Sequence, residues 1–232
     1  MITAAAICPC PPLLARELTG QADVLPDLRA ACATAVARLT AAAPDVIAVA
    51  GPDAETARWP ANGQLDLAGY APALPRTGPA LPLSLGIGAR LLDEAGYQGP
   101  RAFHGVGVLS AAAACLRLGG EIAASAPRVA LLVMGDGTAR RSVSAPGYLD
   151  ERAAPFDAEV TRAVRDGDLA ALAALDAELA AELLAAGRPA WQVLAGALAA
   201  AGRAETEILY ADAPFGVAYL VASLTPRPRE SR

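Results

Sequence analysis

The sequence holds a single histidine, His104, and no lysine, so all 19 of its cationic side chains are arginines. One histidine cannot supply a metal centre that needs two imidazoles from the same chain. Aromatic residues make up only 4% of the chain, which leaves alanine, leucine and valine to fill any interior. A net charge of −5 and a pI near 5.0 argue against a nucleic-acid or anionic-membrane surface. No apolar run approaches the roughly 18 residues that span a bilayer, and no basic segment precedes a long apolar one. These absences predict a cytoplasmic protein with neither nucleic acid nor membrane as partner.

Cysteine is scarce too. Cys32 and Cys115 fall within helical patterns and read as small buried hydrophobes. Cys8 and Cys10 stand too close for an ordinary disulfide, and no second cysteine pair completes a zinc site.

What is present is an apolar, alternating chain. With 232 residues and 54% hydrophobic content it fits one α/β domain, taken as residues 1–225 with a polar, proline-rich flexible tail over 226–232. Residues 2–8 read as a first strand, stopped by Pro9, Pro11 and Pro12. Leu28, Cys32, Val36 and Leu39 recur at helical spacing and predict a helix over 27–42. A short buried strand over 46–50 ends at Gly51-Pro52-Asp53, and residues 59–82 read as a long loop. Ser84 is placed to cap a helix that reaches Ala95 and stops at Gly96. A strand over 103–108, a helix over 111–124 and an entirely apolar strand over 129–134 follow, the last expected at the centre of the sheet.

The second half is helical. Asp157, Asp168 and Asp176 are expected caps, Gly187 an expected terminator, and Pro189 a first-turn residue for the helix carrying Trp191, Leu194 and Leu198. Strands over 207–210 and 217–224 close the chain around a turn at Ala213-Pro214-Phe215-Gly216. Strand–helix alternation predicts a largely parallel central sheet flanked by helices. In such sheets ligands bind beyond the carboxyl ends of the strands. Residues 9–12, 51–53, 109–110 and 135–141 gather there, and this is the predicted site.

From Leu131 onward an ordered series of motifs appears: Gly135-Asp136-Gly137-Thr138-Ala139-Arg140, Ala145-Pro146-Gly147-Tyr148, Phe156-Asp157, Asp166-Gly167-Asp168-Leu169, Gly187-Arg188, and Ala213-Pro214-Phe215-Gly216-Val217-Ala218-Tyr219. Their order and spacing, with the Cys8-Pro9-Cys10-Pro11-Pro12 start, resemble the class III extradiol ring-cleavage dioxygenase catalytic-subunit superfamily, including its Memo-like branch. The resemblance implies that family's α/β topology and a non-haem iron enzyme that opens catechol rings with dioxygen. It implies an iron held by two histidines and a carboxylate, with frequent self-association into homo-oligomers. The chain departs from that pattern at each ligand. Cys10 stands where relatives carry a first histidine, none occurs near Gly51–Asp53, and Ala139 stands where the family's acid–base histidine falls. Ala185 and Ala186 occupy the position before Gly187 where some relatives place a ligand. His104, about four residues before the end of its strand, is expected about 13 Å from the crevice and satisfied locally.

The candidate pocket residues are Cys10, Pro12, Asp53, Asp136, Thr138, Arg140 and Tyr148. Asp136 is either an acceptor or base facing a pocket with Thr138, or a cap for its own turn. Arg140 and Arg141 either bind a carboxylate or phosphate through their planar forks or are solvated. Cys10 lacks a histidine to activate it, which favours inert packing over a thiolate or metal ligand. Asp53 is a site residue or a turn former, and Tyr148 with Asp150 is expected in a lid over the crevice. The expected function is a family scaffold with a degenerate metal site, no cofactor, and a small molecule or protein partner. Two alternatives stand beside it. One is an active dioxygenase with Cys10, Asp53 or Asp136 as unconventional ligands; the other is a metal-free enzyme using Asp136, Thr138 and Arg140.

Overall fold

The computed structural model describes residues 1–20, 22–73 and 78–227. Their elements run β1 (Ile2–Cys8), a 3-10 turn at Pro12–Leu14, α1 (Arg16–Thr19), α2 (Pro26–Ala41), β2 (Val46–Asp53), β3 (Ala57–Trp59), β4 (Gln64–Leu65), β5 (Ala80–Leu81) and α3 (Leu83–Glu94). Next come β6 (Arg101–Gly107), α4 (Ala112–Ala124) and β7 (Val129–Met134). The second half is α5 (Ala153–Asp166), α6 (Leu169–Ala173), α7 (Ala177–Glu182), α8 (Arg188–Leu198), β8 (Arg203–Asp212) and β9 (Tyr219–Arg227).

The six apolar residues of β7 have no polar face to offer water, so both sides of the strand must be covered. It accordingly lies in the middle of a seven-stranded sheet ordered β3-β6-β2-β7-β1-β9-β8. Strands β6, β2, β7 and β1 are mutually parallel, while β3, β9 and β8 are antiparallel additions at the edges. The chain is thus a single α/β domain with a mostly parallel central sheet flanked by helices. Alternation along the strands divides the core in two. Ile7, Ala50, Leu131 and Val133 face α4, α5, α6 and α8, whereas Ala6, Cys8, Val49 and Met134 face α2 and α3. Among the described residues no helix is long and apolar enough to cross a membrane.

Several expected boundaries move, each for a physical reason. β2 runs through Gly51-Pro52-Asp53 because β6 stays paired with it as far as Gly107. The expected loop over 59–82 holds β4 and β5, with residues 74–77 of it outside the described residues. Ser84 does not cap α3; Pro82 precedes the helix, and the Ser84 hydroxyl donates to the Pro52 carbonyl at 2.7 Å. Asp157 is not a cap either. Helix α5 starts four residues earlier, and the Asp157 carboxylate turns inward to the loop after β7. Asp168 and Asp176 do cap α6 and α7, accepting from Ala171 N and from Glu178 N and Leu179 N. The chain leaves α7 at Leu184, in left-handed conformation at φ 57°, and not at Gly187. Pro226 and Arg227 extend β9 against β8, while 228–232 lie outside the described residues.

Helices α4 and α8 approach each other closely because the crossing has glycine on both sides. A Cβ on Gly119 would stand 2.1 Å from the Val193 carbonyl oxygen, and one on Gly196 the same distance from that of Leu116. Backbone cannot yield as a flexible side chain can. Gly196→Ala should therefore cost at least about 2 kcal/mol in a urea unfolding titration. Gly120, on the same helix as Gly119 but facing open space, is the control: Gly120→Ala should stabilise the chain by up to about 1 kcal/mol.

Candidate functional site

The loop after β7 is pinned on three sides by its own backbone. Gly135 N donates to Cys8 O at 3.0 Å, Gly187 N to Asp136 O at 2.8 Å, and Gly137 N to Ala218 O at 2.7 Å. The first two bonds bring β1 and the start of α8 against the carboxyl end of β7. The approach leaves no room for side chains, since a Cβ on Gly135 would lie 2.4 Å from the Gly187 Cα. Asp136 is thereby turned toward β1, where its Oδ1 accepts the Cys10 N–H at 2.7 Å. Burial raises the Asp136 carboxyl from its ordinary 3.8 to about 6, against the lowering effect of the Cys10 bonds. The Cys10 thiol is pushed well up by burial and then by the Asp136 charge, so it is held protonated and unreactive. Tyr219, buried beside this pair, has its phenol raised by burial and then by Asp136 and Cys10.

Thr138 is fully buried and is served by Asp157, whose carboxylate accepts from Thr138 N at 2.9 Å and Thr138 Oγ1 at 2.7 Å. Arg141 adds an ion pair to the same carboxylate at 3.1 Å. Burial outweighs these three bonds and leaves the Asp157 carboxyl raised. A cavity of about 310 Å³ opens beside the cluster, bounded by Gly137, Arg141, Asp157, Arg165, Trp191 and Asp212. Its two arginines face two aspartates, so the walls carry no net charge.

The other sequence candidates are dispersed. Arg140 spends its Nη1 on the Gly147 carbonyl at 2.5 Å, bracing its own loop, and its Nε is buried without a partner. Tyr148 sits in that loop at φ 60° with 65% of its surface exposed. Pro12 opens the 3-10 turn after β1. The Asp53 carboxylate accepts from Trp59 Nε1 at 2.9 Å and Ala54 N at 2.7 Å, tying down edge strand β3. His104 pairs in register with Ala50 on β2 and Arg58 on β3. It lies three residues before the end of β6, roughly 10 Å, and two strands across from β7, roughly another 10 Å. Burial and then the Arg58 charge lower His104 to about 4, so its imidazole is neutral near pH 7.

Arg188 was not among the sequence candidates, yet it is 1% exposed and carries the most deeply buried cation of the described residues. Its Nη1 donates to Ser110 O at 2.7 Å and Gln192 Oε1 at 2.8 Å, and its Nη2 to Val108 O at 2.7 Å. Gln192 passes the connection on to the Ala173 and Leu175 carbonyls, both at 3.1 Å. The legible signal was a lone arginine in an alanine-rich stretch with glutamine four residues on, a helical i,i+4 pair. Asp157 was missed because its capping pattern offered a sufficient local explanation.

No family model matches the sequence, and no curated protein matches it. Among solved structures the fold is similar to the crystal structure of an uncharacterised Escherichia coli K12 protein, JW3007, at a TM-score of 0.58. The two share 13% identity over 96% of this chain and 99% of the other, a likeness of fold alone.

Two outcomes follow from the site's electrostatics. Since the folded Asp136 value lies above the unfolded 3.8, the native chain binds the extra proton between pH 3.8 and about 6, and stability falls as pH rises through that window. Asp136→Asn keeps an acceptor for Cys10 N. It should exceed the native chain in stability by on the order of 1–3 kcal/mol at pH 8, with the gain gone below about pH 4, by urea unfolding. Asp157→Ala strands the buried Thr138 N–H and hydroxyl, and should cost about 2–4 kcal/mol by the same method at pH 7.

Proposed function

We propose that this chain is a class III extradiol dioxygenase-like protein that has shed the iron centre and binds a small molecule at the carboxyl ends of its sheet strands. The observation that carries this reading is the donor set. No group of three or more His, Cys, Asp or Glu is placed to hold a metal ion among the described residues. The residues that would have to stand in for the family's ligands are committed elsewhere or lie away from the site. Cys10 is a sealed thiol, Asp53 is bonded to Trp59, and His104 lies across the sheet from Asp136. Residues with those commitments do not fit a two-histidine, one-carboxylate iron site.

What the same region does offer is concave space. The cavity beside Arg141 and a second one of about 260 Å³ beside Arg188 both open near the carboxyl ends of the parallel strands. Clefts of this size suit a small molecule better than a protein surface.

The test is metal analysis of protein purified anaerobically after iron supplementation, with oxygen uptake measured on catechols. The expected result is iron well below one per chain and no catechol-dependent uptake. Stoichiometric iron together with uptake would overturn the reading in favour of an iron enzyme with unconventional ligands.

A further inference from the structure

Deepening that reading, we infer that the cavity beside Arg188 is a binding site for a small apolar monocarboxylate, with Arg188 as the anchor for its carboxylate. Three observations converge on it. The first is an uncompensated charge. All three acceptors on Arg188 are neutral oxygens, and no carboxylate pairs with it among the described residues. Neutral acceptors satisfy donors, but they do not cancel a buried cation.

The second is the field around it. Arg188 is the first residue of α8, and its bond to Ser110 sets it beside the start of α4. Both helix starts present positive dipole ends, and neither carries an acidic residue in its first turn or a side-chain cap. A guanidinium at two such ends accumulates positive potential that an added anion relieves.

The third is the shape of the space. A guanidinium has five N–H donors, and the three bonds leave the Nε–H and one Nη2–H without an acceptor among the described residues. That edge matches the two oxygens of a carboxylate. Among the described residues, Arg188 Nε is not one of the side-chain atoms sealed from the surface without a partner. The space Arg188 lines is otherwise apolar, formed by Val108, Leu109, Ala181, Leu184 and Ala185 among others. Leu109 and Leu184 are exposed at 81% and 45%, and Leu184 holds its place through the left-handed turn that ends α7. At about 260 Å³ the cleft is close to the lower end of small-molecule sites. The Arg141 cavity differs in the decisive respect, since the Asp157 carboxylate already neutralises its half-buried arginine.

Benzoate is the probe, titrated calorimetrically into the full chain at pH 7.5, with benzamide as its neutral counterpart and acetate lacking the apolar body. Benzoate should bind once per chain, and benzamide and acetate each at least about tenfold more weakly. Ala181→Phe, at an exposed position on the cavity wall, should abolish benzoate binding while leaving the urea midpoint unchanged. Arg188→Met, which also removes a brace, should lose benzoate as well. Equal binding of benzoate and benzamide, benzoate binding untouched by Ala181→Phe, or no binding up to about 10 mM would each overturn the assignment. The iron analysis separates this from the preceding reading. An iron-loaded, catechol-consuming chain that still binds benzoate in an Ala181-dependent way sinks only the loss of iron. An iron-free chain indifferent to benzoate sinks only the carboxylate site.

Discussion

Much of this molecule depends on one backbone contact. Gly135 and Gly187 meet with no space for a Cβ between them, and Gly187 N donates to the Asp136 carbonyl across the junction. That contact joins the end of the central strand to the start of α8. It also places Trp191 beneath Gly187 and orients Arg188 toward the loop after β6. A side chain at either glycine would drive the two segments apart and separate Asp136 from the walls around it.

The junction also sorts charge. Asp136 goes to the side of α2, α3 and Cys10, where burial keeps its carboxyl near 6. Asp157 and Arg141 go to the other side, and neutralise each other around Thr138. Arg188 lies farther along, among carbonyl oxygens and two helix starts. The three polar groups are close in the chain's architecture but separate in environment. No single cluster unites Asp136, Thr138 and Arg140, because each has spent its hydrogen bonds on a different neighbour.

Most of the fold was legible in the pattern of apolar residues. β1, β7 and the spans of α2, α4 and α8 follow from runs and spacings that local sequence expresses directly. The misreadings share a cause. Ser84 and Asp157 each have a good local use as caps, and each was diverted to a distant partner, Pro52 and Thr138, that only folding brings near. Leu184 ends α7 in a conformation glycine would adopt more readily, so the terminator could not be picked by residue type. The site was legible as a place, the carboxyl ends of the strands, far more than as a set of side chains.

By itself the sequence determined that this chain builds an α/β sheet with a fully apolar middle strand, and that one histidine cannot furnish a two-histidine metal centre. Those are consequences of composition and periodicity, which need no knowledge of which residues meet. Tertiary structure alone decided that His104 sits two strands from Asp136, that Asp157 is a buried acceptor, and that Arg188 is a buried cation with no carboxylate paired to it among the described residues. The physical reason is that hydrogen-bond partnership and desolvation are set by neighbours distant in the chain, 80 residues away for Arg188 and the Val108 carbonyl and 126 for Asp136 and Cys10 N.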